Sequence, residues 1–121
     1  MIKISSIRGM HDLVGLDFSN HYEIINQFIS VANTFNFKPI STPIMEFSEV
    51  FKRTLGNSSD VVMKEMYSFI DKNQESLTLR PEGTAGIARA IISNGLTQDI
   101  PLKLYYFGPM FRYERPQKGR L

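Results

Sequence analysis

The sequence contains no cysteine and only two histidines, His11 and His21. A disulfide framework and a thiolate metal site are therefore excluded, and two imidazoles are too few for a zinc cluster. No apolar run approaches the roughly twenty residues needed to cross a bilayer. The opening MIKISSIRGMHD also lacks the apolar stretch and small-residue cleavage site of a signal peptide, so the expectation is a cytoplasmic chain with no membrane partner. Repeats, low-complexity tracts and linkers are missing as well. A Walker phosphate loop and a nucleophile elbow are both absent. His11 has only the adjacent Asp12 as an assignable carboxylate, so it reads as a surface or structural histidine and not as a general base.

What is present is enough for one hydrophobic core and too little for two: 121 residues, 42% of them hydrophobic, with Phe and Ile spread along the chain. The net charge of +2 is unevenly placed. From Lys103 onward five basic residues face one acidic, whereas the first 102 residues hold nine basic against eleven acidic. A local positive field of this kind serves phosphate or nucleic acid, or is simply a solvated basic tail.

Hydrophobic spacing sets the elements. In SNHYEIINQFISVANTF, Ser19 to Phe35, the residues Ile25, Phe28, Ile29, Ala32 and Phe35 recur at steps of three and four, which predicts an amphipathic helix capped by Ser19 or Asn20. Pro39 and Pro43 forbid helix in NFKPISTPIMEF, which reads as extended, at an edge or interrupted by a bulge. SEVFKRTLG predicts a short helix with Ser48 as its cap and Gly56 just past its end. Glu65 to Leu79 carries two β-prone runs either side of Asp71 to Glu75, the pattern of an antiparallel hairpin. Helix resumes from Thr84 through Ile92, with Ile87, Ala88 and Ile91 as the buried stripe and Asn94 and Gly95 as the stop. LKLYYFGPMFRYERP predicts a strand, bent at Gly108 and Pro109 and then continuing. The order of helices and antiparallel strands predicts an α+β fold that is incomplete.

Two stretches put polar residues where a core does not want them. In FRYER an extended backbone sends Arg112 and Glu114 to one face and Phe111, Tyr113 and Arg115 to the other. The pair is either an exposed salt bridge of little energetic value or a recognition pair, with a guanidinium fork for phosphate and a carboxylate for an amino group. In TLRPEGTAG, Pro81 holds Arg80 extended, Gly83 permits an unusual backbone angle, and Thr84 is placed to cap the following helix. Glu82 makes that helix start acidic and suited to an ammonium group. The alternative is an N-capped helix with a surface glutamate.

Taken together, RGMHD, VVMKEMYSF, LTLRPEGTAG and GPMFRYERPQKGR resemble the N-terminal part of histidyl-tRNA synthetase, a class II aminoacyl-tRNA synthetase. The resemblance runs over nearly the whole chain. It implies an antiparallel sheet flanked by helices, the class II catalytic core in incomplete form. Residues 1–121 would be the N-terminal portion of that catalytic domain. The Ser19 to Phe35 helix and the strand through Pro43 would be the first class motif, which builds a homodimer interface, and FRYERPQKGR the first half of the second.

The resemblance further implies roles for single residues. Glu82 and Thr84, with the backbone at Gly83, would hold the α-amino group of histidine. Arg112, catalytic in that scheme, would bridge the histidine carboxylate and the α-phosphate of ATP. Glu114 would read the adenine amino group, and Arg120 would reach the outer phosphates. The reaction implied is formation of histidyl-adenylate, with Mg²⁺ sharing the phosphate charge and no dedicated metal carboxylate recognisable, then transfer to tRNA(His). The returning strand of the second motif, the imidazole pocket, the third-motif arginine and the anticodon-binding domain would lie further on. The expectation is therefore that this chain alone is inactive. Two other readings stand beside this one: a non-catalytic relative, such as the synthetase-like regulatory subunit of histidine biosynthesis, and a small RNA-binding module using the basic end.

Overall fold

The computed structural model describes residues 2–55 and 64–113. Among these the chain divides into two units, residues 2–37 and residues 38–113. The first holds one helix, α1, Leu16–Thr34, preceded by a non-regular stretch. It begins three residues before the expected start, after Gly15, and has no side-chain cap; the Ser19 hydroxyl instead donates back to the Gly15 carbonyl at 3.2 Å. Its end is closed by a Schellman arrangement. Asn36 takes a left-handed φ of 65°, its amide bonds to the Asn33 carbonyl, and the Phe37 amide reaches the Ala32 carbonyl at 2.9 Å. Ala32 is buried, Ile25 and Ile29 are half-buried, and Ile24, Phe28, Val31 and Phe35 are exposed.

The second unit contains two small sheets. Strand β1, Lys38–Pro39, pairs in parallel with β5, Leu104–Tyr105. The amides of Lys38 and Ile40 bond to the carbonyls of Lys103 and Tyr105, so Pro39, with no amide hydrogen, falls at a position the parallel ladder does not need. Strands β2 (Met45–Phe47), β4 (Ser76–Leu79) and β3 (Ser68–Ile70) form an antiparallel sheet in the spatial order β2-β4-β3. The hairpin between β3 and β4 is the one expected. Its turn is organised by Asp71, whose Oδ1 accepts from the amides of Asn73 and Glu75, both at 2.9 Å. Pro43, expected within a strand, lies between β1 and β2 in no strand.

Helix α2, Ser48–Leu55, follows β2 directly, and helix α3, Thr84–Ser93, follows β4 after the Arg80 to Gly83 turn. They pack against each other, with Phe51 of α2 fully buried and Ala85, Gly86, Ile87 and Ala90 of α3 turned inward. The expected stripe on α3 is corrected at Ala88, which is exposed; the buried positions are Ala85, Gly86, Ile87 and Ala90, with Gly86 against Thr42 and Glu46. Asn94 and Gly95 end α3 as expected.

The antiparallel sheet buries the face that pattern alone would assign to solvent. In register across it stand Glu46, Thr78 and Ser68, with Ser48 and Ser76 two residues along. Thr78 is fully buried, Ser48 and Glu46 nearly so. The hydroxyls run as a chain, Ser76 to Ser48 to Thr78 to Ser68, each link 2.7 Å. Burial is tolerated because every member has a partner, as buried hydroxyls require. Ser48 is therefore a sheet-facing hydrogen-bond hub and not the helix cap expected of it. The opposite face carries Met45, Phe47 and Phe69, all exposed, with Leu77 and Leu79 half-buried.

Thr78→Val keeps the volume and removes the middle of the hydroxyl chain. It is expected to cost about 1–3 kcal/mol in urea unfolding, against less than about 1 for Ser76→Ala at the exposed end. Equal losses would show that the chain of hydroxyls does not stabilise the sheet.

Candidate active site

Strand β4 ends at Leu79, and the four residues after it turn the chain into α3. Arg80 and Pro81 are buried, and Glu82 is half-buried. Gly83 occupies the cap position with helical angles, φ −98° and ψ −26°. Because glycine offers no side chain there, the unpaired amides of the first turn find another acceptor. Both oxygens of Glu82 serve: Oε2 accepts from the Thr84 amide at 2.7 Å and Oε1 from the Ala85 amide at 2.9 Å. A carboxylate at a helix N-terminus also meets the positive end of the macrodipole. The cap expected of Thr84 is thus supplied by Glu82, and Thr84 is the first residue of the helix.

This frees the Thr84 hydroxyl to turn outward, where it lies 3.1 Å from the hydroxyl of Tyr106. The Tyr106 ring crosses Gly83 so closely that a Cβ there would collide with Cε2, while also meeting Met110 Cε at 3.1 Å. Glycine at 83 is required by this close approach. The segment from Tyr106 onward, expected to continue as a strand beyond Gly108 and Pro109, forms no strand in residues 106–113. It is still tied down, by the Phe111 amide on the Arg80 carbonyl at 2.8 Å and the Tyr113 amide on the Glu65 carbonyl at 2.7 Å. The Phe111 bond sets the backbone that carries Arg112 alongside the turn that carries Glu82. Arg112 itself is exposed. Glu114 and Arg120, the other expected ATP contacts, lie outside the described residues.

Behind the helix start sits a charged pair that sequence reading passed over. Glu46 on β2 receives both fork nitrogens of Arg89 on α3, Nε to Oε1 at 3.0 Å and Nη2 to Oε2 at 2.9 Å. The Glu46 side chain is 8% exposed and that of Arg89 34%. Arg89 Nη1 also donates to Ser93 Oγ at 2.9 Å, and Thr42 and the Glu46 carboxylate lie against Gly86. Tyr106 went unnoticed too. Its partner stands 22 residues away, and no local spacing announces it. For Glu46 a signal existed: a carboxylate at the centre of Met-Glu-Phe, in a strand otherwise apolar.

The assembled surface therefore presents a fixed carboxylate and two adjacent hydroxyls, with exposed Arg112 following the residue whose amide is bonded to the Arg80 carbonyl. Among the described residues no three His, Cys, Asp or Glu side chains come together to hold a metal. The described helices include none long and apolar enough to cross a membrane.

The family model described as histidyl-tRNA synthetase matches residues 9–121. The chain belongs to the histidyl-tRNA synthetase family. It is 55% identical over 121 residues to the histidine--tRNA ligase of Rhodospirillum rubrum, covering 100% of this chain and 29% of that protein. The apo histidyl-tRNA synthetase of S. aureus shares 40% identity with a TM-score of 0.73, over 93% of this chain and 30% of that one. A Bacillus halodurans structure described as an ATP phosphoribosyltransferase regulatory subunit/histidyl-tRNA synthetase shares 25% identity with a TM-score of 0.77, over 95% of this chain and 29% of that one. The chain thus spans about three tenths of the length of the curated relatives it matches. The α+β architecture with its antiparallel sheet is that of histidyl-tRNA synthetase catalytic domains.

Arg89→Met strands a nearly buried carboxylate and is expected to cost about 3–5 kcal/mol in urea unfolding. Glu46→Gln leaves the guanidinium near solvent and is expected to cost less than about 2. The reverse order would show that the pair does not anchor α3 to β2.

Proposed function

We propose that this chain forms part of the amino-acid-activating centre of a histidine-tRNA ligase. The observation that carries the reading is the carboxylate of Glu82, immobilised by two helix amides beside the Thr84 hydroxyl. An ammonium group has three donors and needs acceptors already in place, and each Glu82 oxygen keeps a lone pair beyond its amide bond. Pre-set acceptors add no reorganisation when substrate arrives. Histidine would bind here through its α-amino group, at Glu82, Thr84 and the backbone of Gly83.

Arg112 is assigned to the carboxylate of histidine and the α-phosphate of ATP. Guanidinium suits a site where two anions must approach, because it stays charged and grips two oxygens at once. A carboxylate oxygen of histidine attacks the α-phosphorus, the bond to the bridging oxygen of the β-phosphate breaks, and pyrophosphate leaves with that electron pair. Glu114 is assigned to the adenine amino group and Arg120 to the outer phosphates. Mg²⁺ would enter with the ATP phosphates, and no step or protein ligand is assigned to it. A terminal ribose hydroxyl of tRNA(His) then takes the histidyl group and AMP departs. A protein acting on tRNA would work in the cytoplasm.

A homodimer is part of the same proposal, formed through the 19–35 helix and the strand that follows Pro43. The exposed apolar side chains Ile24, Phe28, Val31 and Phe35 on α1, and Met45 and Phe47 on β2, support it. A regulatory role without catalysis is the second reading, favoured by the combined description of the B. halodurans neighbour.

Histidine-dependent exchange of labelled pyrophosphate into ATP, by the full-length product of the gene that encodes this chain, separates the two readings. The ligase reading expects exchange with histidine alone among amino acids, and a loss of about 10²-fold or more in Arg112→Ala and in Glu82→Ala. Exchange undiminished in both variants contradicts the site, and no exchange with any amino acid favours regulation. Sedimentation of the same preparation is expected to give a dimer, and a monomer at micromolar concentration would rule out the interface.

A further inference from the structure

We infer that Arg80 is a positioning residue that fixes the backbone carrying Arg112 against the turn carrying Glu82, an inference that rests on the roles just proposed for those two residues. Arg80 is 8% exposed, and among the described residues the oxygens that accept from its guanidinium belong to neutral groups. Nε donates to the Pro109 carbonyl at 2.9 Å, and Nη1 to the Thr42 carbonyl at 3.3 Å and to Thr42 Oγ1 at 3.5 Å. A charge this deep is tolerated where its donors are satisfied, and it then makes hydrogen bonds stronger than those between neutral groups. Nη2 lies against Gly108, where a Cβ would run into it. The main chain of the same residue completes the hold, since its carbonyl accepts from Phe111 and its amide donates to Ile44 at 2.8 Å.

One residue thus grips the 108–111 segment twice, by side chain at Pro109 and by main chain at Phe111. Arg112 is the next residue, and Glu82 stands two positions beyond Arg80 on the other side. Residues 106–113 form no strand, so ladder hydrogen bonds do not set this path. The fork of Arg80 replaces them. Lysine cannot substitute fully, because a single ammonium lacks the fork that reaches Pro109 and Thr42 together.

The test is amide hydrogen exchange on the 121-residue chain, followed residue by residue, in wild type, Arg80→Lys and Arg80→Met. Lys keeps the charge and most of the chain length, so it reports even if Met fails to fold. The expected result for Arg80→Lys is exchange about tenfold or more faster at Phe111 and Tyr113, with Leu77 and Ile87 changed by less than about twofold. Arg80→Met is expected to exceed it at the same two amides. Uniform acceleration across β4 and α3 would overturn the inference in favour of a merely structural role, and unchanged protection at Phe111 would overturn it outright. ATP added to the full-length gene product and its Arg80→Lys variant reads the proposed function separately. If Arg112 responds in wild type, Arg80→Lys is expected to weaken the response by about tenfold, and an equal response in both contradicts the positioning role. If Arg112 is silent in wild type while the exchange pattern holds, the nucleotide role fails and the positioning role stands.

Discussion

The carboxylate of Glu46 is enclosed between sheet and helix, and the fork of Arg89 meets both its oxygens. Much of the second unit depends on that constraint. A buried carboxylate without its partner is costly, so α3 is held at one rotation and one height over β2. The rotation turns Ala85, Gly86, Ile87 and Ala90 inward and leaves Thr84 facing outward. The height brings the first turn of α3 to the end of β4, where Glu82 can reach two amides. The hydroxyl chain through Thr78 and Ser48 follows the same logic on the rest of that face. Polar contacts, each satisfied, fix the geometry where an apolar core would tolerate sliding.

Helix and hairpin were legible in the sequence because their causes are local. Asp71 and the residues after it make a turn from their own side chains, and Asn94 and Gly95 stop a helix for reasons present in a dipeptide. The parallel pairing of β1 with β5 was not legible, since two-residue strands more than sixty positions apart leave no periodic trace. The cap of α3 was assigned to Thr84 because threonine is a common cap. Gly83 adopts helical angles, which moves the position by one residue and gives the role to Glu82. The polar face of the antiparallel sheet inverted the usual reading of alternation, because its serines and threonine are paired with one another.

The candidate site was legible in part for the same reason. Glu82, Gly83 and Thr84 are contiguous, and their motif carries its own geometry. Tyr106, Arg80 in its side-chain role, and the Glu46–Arg89 pair needed the fold, because each acts through a partner far away in sequence. The family match over residues 9–121 gives the family, and the roles proposed for Glu82, Gly83 and Thr84 come from the resemblance. The local physics adds a reason for one of them: the acid that would receive an ammonium is already fixed by the helix it caps.

The central claim is that the Glu82 carboxylate meets the α-amino group of histidine. It is tested most directly by a cycle of affinities in the full-length gene product, with wild type and Glu82→Gln each binding histidine and imidazolepropionate, which lacks the amino group. The account predicts that wild type prefers histidine and that Glu82→Gln loses that preference by about tenfold or more, a coupling of about 1.4 kcal/mol. Equal preference in the two proteins would contradict it.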